Sequence, residues 1–235
     1  MEKILKENGL DVSDTQLKQF QTYYELLMEW NQKINLTAIT EREEVIRKHF
    51  VDSALLSKCP FFDSQSETKI LDVGTGAGFP GIVLAILFPQ CFFTLLDSLR
   101  KRIDFLQLVV ERLELKNVHL FHGRAENYGR DTNFRNQYDF VVSRAVAELP
   151  LLLEYCVPFV KPGGYFVSYK GRKYQEELQL ADNAFRELTC HLEATEAFSL
   201  SEEEREKRVL LFIRNNEKTK DKYPRKAGKP KKNPL

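Results

Sequence analysis

The stretch from residue 70 to residue 81 reads Ile70-Leu71-Asp72-Val73-Gly74-Thr75-Gly76-Ala77-Gly78-Phe79-Pro80-Gly81. Its first four residues are mostly apolar, which predicts a buried strand. The glycines that follow let the chain turn sharply and let a ligand approach the backbone, and the N–H groups of the next helix would face that ligand. The stretch therefore predicts a strand, a ligand-binding turn and a helix, the opening unit of an α/β fold.

The same alternation continues along the chain. Strands are predicted at Lys69–Val73, Phe92–Asp97, Val118–Phe121, Tyr138–Ser143 and Gly164–Lys170, and helices at Gly81–Phe88, Arg100–Glu114, Leu149–Val160 and Tyr174–Leu188. Alternating strands and helices predict a mainly parallel sheet covered on both faces. Two last β-like runs, His191–Phe198 and Lys207–Arg214, are close in sequence and predict a hairpin. The expected α/β fold is thus a seven-stranded sheet with an antiparallel last strand.

The residues before this sheet predict an N-terminal helical region. Ser13-x-x-Gln16 has the spacing of a capping box, and apolar residues follow it at steps of three and four as far as Ile34. Thr40-x-x-Glu43 predicts a second capping box, and Pro60 ends the helix that follows it. The predicted organisation is a helical region over 1–66, an α/β domain over 67–214 and a tail over 215–235.

Composition and charge limit the class of protein. The 235 residues include 43% hydrophobic and 29% charged residues, typical of a globular protein. No apolar run reaches the ~18 residues of a membrane span, and the N-terminus lacks the apolar core of a secretion signal. A cytoplasmic protein without a membrane partner is expected. The four cysteines and four histidines show no ligand spacing, so no metal site is predicted.

The net charge of +1 hides an uneven distribution. Residues 215–235 carry +6, and the remaining 214 residues carry −5. The tail is rich in Lys, Pro and Asn, which predicts a flexible segment that reaches an anionic partner. A disordered end that only improves solubility is the alternative, and composition does not decide between them.

The glycine loop discriminates between nucleotide cofactors. The dinucleotide fingerprint GxGxxG would place its third glycine at position 79, which is Phe79 in this chain. The spacing is instead GxGxG, formed by Gly74, Gly76 and Gly78. A pyrophosphate is not expected beside the bulky Phe79. A neutral nucleoside with an amino-acid tail fits the loop better.

Two further strand ends carry residues that suit a nucleoside. Asp97 lies 23 residues after Gly74, about where a carboxylate accepts both ribose hydroxyls in nucleoside-binding α/β folds. The third strand leads into Gly123-Arg124-Ala125-Glu126, placed to border an adenine ring. Each signal is weak alone, and Asp97 as a plain helix cap is the alternative. Together the three strand ends predict S-adenosylmethionine as the cofactor and a Rossmann-like, class I methyltransferase fold.

The chemistry is expected at the end of the fourth strand, Ser143-Arg144-Ala145. The Asp/Asn-Pro-Pro-aromatic tetrad for exocyclic base amines is absent, and no Pro-Cys pair supplies a nucleophile for pyrimidine C5. An acceptor with a free lone pair, such as guanine N7, suits a site without base or nucleophile. Arg144 and Lys170, which ends the fifth strand, are then the candidate catalytic residues that hold O6 or a phosphate. An ion pair of Arg144 with Glu126 or Asp97 is the alternative.

Several blocks of the chain resemble one bacterial family over nearly the whole length. That family is the glucose-inhibited division protein B family, the small-subunit ribosomal RNA guanine-N7 methyltransferases. The matching blocks are Glu29-Trp30-Asn31-Gln32-Lys33-Ile34-Asn35-Leu36-Thr37, His49-Phe50-x-Asp52-Ser53, the loop Gly74–Gly81, Asp97-Ser98, Arg124-Ala125-Glu126, Ser143-Arg144-Ala145 and Tyr223-Pro224-Arg225-Lys226-x-Gly228-x-Pro230. The N-terminal and C-terminal blocks are the most specific, because generic methyltransferases lack them.

The resemblance implies a set of roles. It implies that the cofactor site is lined by Gly74, Phe79, Ala125, Glu126 and Arg144. It implies one guanine of 16S ribosomal RNA as substrate, in the RNA itself or in the small ribosomal subunit, and a monomer is expected. The tail residues that would neutralise RNA phosphates are Arg225, Lys226, Lys229, Lys231 and Lys232. Lys170 is carried over as the less secure of the two catalytic residues.

Two other classes of protein compete with this hypothesis. An NAD-dependent oxidoreductase uses a similar sheet, but Phe79 argues against it, and nicotinamide binding without S-adenosylmethionine binding would favour it. A non-catalytic ribosome-assembly factor would keep the cofactor fold as a scaffold. The intact glycine loop argues against that hypothesis, and a methyl-transfer assay on ribosomal subunits separates the two.

Overall fold

A seven-stranded sheet forms the centre of the fold in a computed structural model, which describes residues 1–63, 66–199 and 207–235. The strands are β1 Lys69–Val73, β2 Phe92–Asp97, β3 Val118–His122, β4 Tyr138–Arg144, β5 Val160–Lys170, β6 Cys190–Ser199 and β7 Lys207–Asn215. Their order across the sheet is β3-β2-β1-β4-β5-β7-β6, and β7 runs antiparallel to both of its neighbours. The predicted fold class is confirmed.

Helices precede the sheet and connect its strands. The α-helices are α1 Glu2–Glu7, α2 Asp14–Asn31, α3 Arg42–Val45, α4 Asp52–Ala54, α5 Gly81–Leu87, α6 Arg100–Arg112, α7 Ala125–Tyr128, α8 Leu149–Cys156, α9 Tyr174–Gln179, α10 Asp182–Leu188 and α11 Lys229–Lys232. A π-helical segment, Ile46–Val51, joins α3 to α4, and the 3-10 turns Leu55–Lys58 and Val157–Phe159 follow α4 and α8. In the described part of the chain, no helix is long and apolar enough to cross a membrane.

Element positions follow the local pattern, and the differences are at boundaries. The first two strands have the predicted bounds, whereas β5 begins at Val160 and the predicted helix Tyr174–Leu188 is divided into α9 and α10. The short helices α7 and α11 were not predicted. Glu41, not Thr40, caps α3, because its side chain accepts a hydrogen bond from the backbone N–H of Glu44. The connection between β6 and β7 lies outside the described residues.

The carboxyl ends of the parallel strands meet at one edge of the sheet. Register pairs Val73 with Leu96 and Asp97 with His122, so the loops after β1, β2 and β3 begin side by side. The order reverses between β1 and β4, which are neighbours although β2 and β3 lie between them in sequence. In open α/β sheets, ligands bind outside the carboxyl ends of strands at such a reversal point.

The N-terminal helices pack directly on the sheet. A single cluster of buried side chains combines Phe20, Leu27 and Phe50 of the helices with Phe93 and Val142 of the strands. Ser13 and Gln16 form the predicted capping box at the start of α2. The boundary between residues 66 and 67 therefore separates two parts of the chain that share one hydrophobic core.

The C-terminal segment, residues 216–235, also packs on the body, so the prediction of a flexible tail is wrong. Tyr223 is 4% exposed, and Pro224 is buried beside Gly129. Arg135 donates hydrogen bonds to the backbone carbonyls of Thr219 and Tyr223, both at 2.6 Å. Composition alone missed this docking because the segment contains few apolar residues; backbone carbonyls and two buried prolines make the contacts.

Candidate active site

The glycine loop has two faces. Gly74, Gly76 and Gly78 all have positive φ, at 73°, 62° and 103°, a region that disfavours side chains. A Cβ on Gly78 would lie 2.6 Å from Ile82 Cγ1 and 2.7 Å from the Tyr23 hydroxyl, so this face is filled by protein. A Cβ on Gly76 would meet no atom closer than 4.0 Å. The loop is therefore closed towards the helices and open towards the carboxyl edge of the sheet.

Helix α2 fixes the closed face of the loop. The Tyr23 hydroxyl donates to the backbone carbonyl of Ala77 at 2.6 Å. Burial raises the pKa of Tyr23 well above its usual value, so the hydroxyl keeps the proton that it donates. The N-terminal helices thus determine the position of the loop.

Asp97 fixes the open face. Its Oδ2 accepts hydrogen bonds from the backbone N–H of Gly76 at 2.9 Å and from Arg102 Nη1 at 3.2 Å, and its Oδ1 accepts from the N–H of Leu99 at 2.9 Å. A carboxylate has about four acceptor positions, so roughly one remains for a ligand. Asp97 caps the turn after β2 and ties two strand ends together, in addition to lining the cleft between them.

The cleft at the reversal point brings together four of the eight predicted cofactor residues, namely Gly74, Asp97, Ala125 and Glu126. It is lined by Val73, Gly74, Leu96, Asp97, Ser98, Gly123, Arg124, Ala125, Glu126, Val146 and Tyr155. Glu126 is 4% exposed, and its Oε1 accepts a hydrogen bond from the backbone N–H of Gly228 at 3.1 Å. Its Oε2 has no hydrogen bond to another residue in the described ranges. Two carboxylates at adjacent strand ends, one with an unused oxygen, suit the hydroxyls and exocyclic amine of an adenosine.

Phe79 lies behind this cleft and not in its wall. Its ring stacks on His49 with a centroid distance of 4.6 Å and contacts Tyr23 at 5.5 Å. The guanidinium of Arg144 lies over the same ring, 5.0 Å from its centroid. The aromatic side chain that interrupts the dinucleotide fingerprint thus connects the loop to α2, the π-helical segment and the end of β4.

Arg144 is held by residues of the helical region. Its Nη1 donates to Asp52 Oδ2 at 2.7 Å and to the carbonyl of Lys48 at 3.1 Å, and its Nη2 donates to His49 Nδ1 at 3.2 Å. The ion pair with Glu126 or Asp97, which was the alternative interpretation of Arg144, is not formed. Asp52 is 2% exposed and also contacts Arg208 Nε at 3.1 Å. Two of the five guanidinium N–H groups of Arg144 remain to bind a ligand.

His49 is neutral and has no free lone pair. Because an arginine always donates, His49 Nδ1 accepts from Arg144, and its Nε2–H then donates to Thr37 Oγ1 at 2.7 Å. Burial and the adjacent Arg144 charge lower the pKa of His49 to about 3. Roles for Asp52 and His49 were missed in the sequence, although both belong to the motif His49-Phe50-x-Asp52-Ser53.

Lys170 ends β5 on the opposite face of the sheet from Arg144, because Arg144 pairs with the preceding residue, Tyr169, and Lys170 is itself ion-paired. Its Nζ contacts Glu177 Oε2 and donates to the carbonyl of Ala147 at 2.9 Å. Glu177 Oε2 also accepts from the N–H of Leu149 at 2.7 Å, which fixes the start of α8. Lys170 therefore secures the segment from residue 145 to residue 149, between the Asp97–Glu126 cleft and the cleft that contains Arg144.

A second cleft contains Arg144 and Lys170. Its lining residues are Ile39, Lys48, His49, Asp52, Arg144, Ala145, Ala147, Tyr169, Lys170, Gly171, Glu177 and Arg208. Four cations and two carboxylates give this lining a formal charge of +2, since His49 is neutral. The segment of residues 145–147 borders both clefts, with Val146 on the first and Ala145 and Ala147 on the second.

Asp72 is buried beneath the glycine loop. Its Oδ2 accepts from the backbone N–H of Gly81 at 2.9 Å, at the start of α5. Burial raises the pKa of Asp72 to about 7, in spite of this hydrogen bond. The carboxyl group is therefore partly protonated at neutral pH.

We expect Asp72→Asn to change the pH dependence of stability. Because the pKa of Asp72 is about 7 in the folded chain against 3.8 unfolded, the folded wild type retains a proton that the unfolded chain loses in this window. Wild-type stability contains a contribution that falls as the pH rises from about 4 to 7, by up to ~1.4 kcal/mol per pH unit. The variant lacks it. Urea unfolding of both proteins from pH 4 to pH 8 should show a stability difference, variant minus wild type, that increases up to about pH 7.

His49 does not confuse this measurement. Its lowered pKa contributes stability that rises with pH, the opposite sign, but it is present in both proteins and cancels in the difference. A difference that stays constant between pH 4 and pH 7 would show that Asp72 has an ordinary pKa.

The basic residues of the C-terminal segment divide into two groups. Arg225 forms an ion pair with Glu154, in which Nε donates to Oε1 at 2.8 Å, and Glu154 is fully buried. Because this ion pair neutralises the charge of Arg225, the prediction that Arg225 contacts an RNA phosphate is corrected. The exposed basic residues of the segment with no ion pair in the described ranges are Lys218, Lys220, Lys226, Lys229, Lys231 and Lys232, of which the last four belong to the predicted phosphate contacts.

Comparison with known proteins gives a consistent result. A family model described as rRNA small subunit methyltransferase G matches residues 16–207. The chain is 50% identical over 231 residues to the ribosomal RNA small subunit methyltransferase G of Lachnoclostridium phytofermentans, an alignment that covers 98% of this chain and 94% of the relative. It is 46% identical over 235 residues to the protein of the same name from Streptococcus pneumoniae serotype 19F, with coverage of 99% and 97%.

Solved structures share the fold at much lower identity. A crystal structure of a SAM-dependent methyltransferase from Aquifex aeolicus superposes with a TM-score of 0.55 and 16% identity, covering 73% of this chain and 93% of that chain. At this identity, the similarity shows only that the two proteins share a fold.

Proposed function

The chain belongs to the family of rRNA small subunit methyltransferase G, and from this membership we propose that it transfers a methyl group to N7 of one guanine in 16S ribosomal RNA. Its cofactor is S-adenosylmethionine, which supplies an electrophilic methyl group on a sulfonium. The observation that carries the finer proposal is the absence, in the described part of the cleft around Arg144, of a nucleophile or base that is available at neutral pH.

The cofactor is proposed to bind in the cleft at the reversal point. Asp97 and Glu126 would accept hydrogen bonds from the adenosine, and Gly74 and Ala125 would provide close backbone contact. The open side of Gly76 leaves room beside the loop for a ligand. Gly78 and Phe79 would act from behind the loop by holding it in place. One of the two N–H groups of Arg144 that the protein leaves free would complete the site.

The cysteines and His49 restrict the acceptor atom. All four cysteines are buried, and burial raises the pKa of each thiol, to about 12 for Cys59 and Cys190, so none supplies a thiolate for methylation at pyrimidine C5. His49 has both ring nitrogens engaged and cannot remove a proton from an amine. Guanine N7 has a free lone pair and needs neither group, so positioning supplies most of the acceleration.

Arg144 is proposed to orient the guanine, and Lys170 to act through the surrounding structure. One of the two free N–H groups of Arg144 can donate to O6 while N7 stays free to attack, whereas a bond from Arg144 to N7 would block the lone pair. Lys170 is 8% exposed and neutralised by Glu177, so its main effect would be to hold residues 145–149 between the two clefts. The lining charge of +2 favours an anionic RNA in the second cleft.

The test is methyl transfer with a mapped product. The purified chain, S-adenosylmethionine labelled in the methyl group, and either protein-free 16S rRNA or small ribosomal subunits would be incubated together, and the product sequenced for N7-methylguanine. A single labelled guanine is the expected result. Label at another atom or in large-subunit RNA would refute the assignment, and no label in either substrate would favour the non-catalytic assembly factor.

The exposed lysines of the C-terminal segment are proposed to contact RNA phosphates. Changing Lys226, Lys229, Lys231 and Lys232 together to glutamine should weaken RNA binding and reduce the slope of log K against log salt by up to ~2.8, at ~0.7 for each phosphate contact on single strands. Binding measured at several salt concentrations checks this. Cofactor affinity is the internal control and should not change. Equal salt slopes for variant and wild type would mean that these four lysines do not contact RNA phosphates.

A further inference from the structure

A second basic surface adjoins the cofactor cleft at Asp97, whereas the C-terminal segment contacts that cleft at Glu126. The groove between the loop after α2 and the start of α6 is lined by Gln32, Lys33, Ile34, Asn35, Leu36, Leu99, Arg100, Lys101 and Arg102. Four of these residues are cations and none is a carboxylate. We propose that this groove, here called the α6 groove, binds the backbone of a single RNA strand whose target guanine enters the cleft around Arg144. The inference rests on the proposed function, because that function makes RNA the partner.

The charges of the groove are only partly neutralised. Arg102 pairs with Asp97, and Lys33 pairs with Glu29. Arg100 and Lys101 are exposed, and neither has an ion pair in the described ranges. Both belong to the first turn of α6, which carries no acidic residue and no side-chain cap. Positive charge at that end of a helix opposes the helix dipole at a cost of roughly 0.3–1 kcal/mol. A phosphate bound by these side chains would offset that cost.

The position of the groove connects it with both clefts. Asp97 lines the cofactor cleft and bonds to Leu99 and Arg102, which line the groove. On the other side, the loop from Gln32 to Leu36 continues to Ile39, which lines the cleft around Arg144. Asn31 holds this loop by accepting from the N–H groups of Leu36 and Thr37, at 2.8 and 2.9 Å. A strand that follows the groove therefore arrives at the proposed site of methyl transfer.

The apolar residues of the groove favour a single strand over a duplex. Leu99 is 52% exposed, and it lies with Ile34 and Leu36 among the cations of the groove. A single strand presents unstacked base faces to such side chains, together with its phosphates. Bases in an A-form duplex are stacked and offer no such faces.

The test compares two double variants of the full-length chain. Arg100→Gln/Lys101→Gln removes the two unpaired cations of the groove. The matched control is Lys69→Gln/Lys116→Gln, which removes two exposed cations at the amino-terminal edge of the sheet. Affinity for protein-free 16S rRNA is measured from 50 to 400 mM salt for each protein, and S-adenosylmethionine affinity is measured by calorimetry.

The groove variant should bind the RNA about tenfold or more weakly at 0.1 M salt, with a salt slope smaller by up to ~1.4, because two contacts of ~0.7 each are lost. The control variant should match the wild type, and all three proteins should bind the cofactor equally. An unchanged slope in the groove variant, or an equal loss in the control, would overturn the α6 groove. Failure of the proposed function would appear separately, as a wild type that binds or methylates no small-subunit RNA.

Discussion

Replacing Glu154 with leucine should lower the free energy of unfolding by about 3 kcal/mol, the range seen when one partner of a buried ion pair is removed. Glu154 is fully buried in α8, and its carboxylate accepts from the side chain and the backbone N–H of Arg225. Without it, the guanidinium of Arg225 and one N–H group lose their partners. The C-terminal segment would then detach, and the hydrogen bond from Gly228 to Glu126 would be lost with it. Cofactor affinity should therefore fall together with stability.

Double-mutant comparison separates this ion pair from a simple packing effect. Arg225→Met should be at least as destabilising as Glu154→Leu, because it leaves a fully buried carboxylate without a counter-charge. The double variant Glu154→Leu/Arg225→Met buries no charge and should be more stable than either single variant. Lys222→Gln breaks an exposed pair with Glu187 in the same segment and is the control, with little expected change. The coupling is tested by urea unfolding and cofactor calorimetry on all four variants. Additive losses in the double variant would contradict the proposed coupling.

Gly78→Ala should cause the largest loss at the glycine loop. The φ of 103° disfavours any side chain, and the new Cβ would lie 2.6 Å from Ile82 Cγ1, 2.7 Å from the Tyr23 hydroxyl and 2.9 Å from Leu106 Cδ2. Backbone strain of roughly 1–3 kcal/mol and overpacking of roughly 1–3 kcal/mol add together. We expect the free energy of unfolding to fall by about 3 kcal/mol. Cofactor affinity should drop at least tenfold, because the carbonyl of Ala77 can no longer stay bonded to Tyr23.

Gly76→Ala is the matched control for this prediction. Its φ of 62° lies in the left-handed region, which costs a non-glycine residue less than the φ of 103° at Gly78, and its Cβ would meet no atom closer than 4.0 Å. Gly78→Ala thus has the greater backbone strain and is the only one of the two variants that is overpacked. Thermal and urea unfolding should show Gly78→Ala to be the less stable by at least 1 kcal/mol. Equal stabilities would mean that α2 does not press on the loop, and that the contact between Tyr23 and Ala77 has no role in holding it.

Much of the fold and part of the candidate site follow from short-range pattern. The bounds of β1 and β2 match the predicted bounds, because a buried parallel strand appears as a short apolar run that ends at glycine or aspartate. The order of the glycine loop, Asp97 and Glu126 along the chain also predicts that they meet, since the carboxyl ends of neighbouring parallel strands lie at one edge. Each strand and each motif is a pattern of residue types within a segment of ten residues or fewer, so the local sequence is enough to specify it.

The ion-pair partners of charged residues, in contrast, are far apart in the sequence. Arg144 and Asp52 are 92 residues apart in sequence, and Arg225 and Glu154 are 71 apart. Neither pairing is marked by a spacing between its two residues. Arg144 was therefore predicted to hold O6 or a phosphate, with an ion pair to Glu126 or Asp97 as the alternative, and its pairing with Asp52 was missed. Arg225 was grouped with the surface lysines because every cation in a basic segment has the same appearance in a sequence.

The sequence by itself thus determined the α/β sheet, the ligand-binding turn and the family, because each depends on residue types at short, regular spacing. Only the tertiary structure decided which cations face solvent, that α2 presses on the loop at Gly78, and that the C-terminal segment supports Glu126. The physical reason is that a charge or a hydroxyl acquires its function from its desolvation and its partners. Both are set by packing between elements that the chain brings together from distant positions.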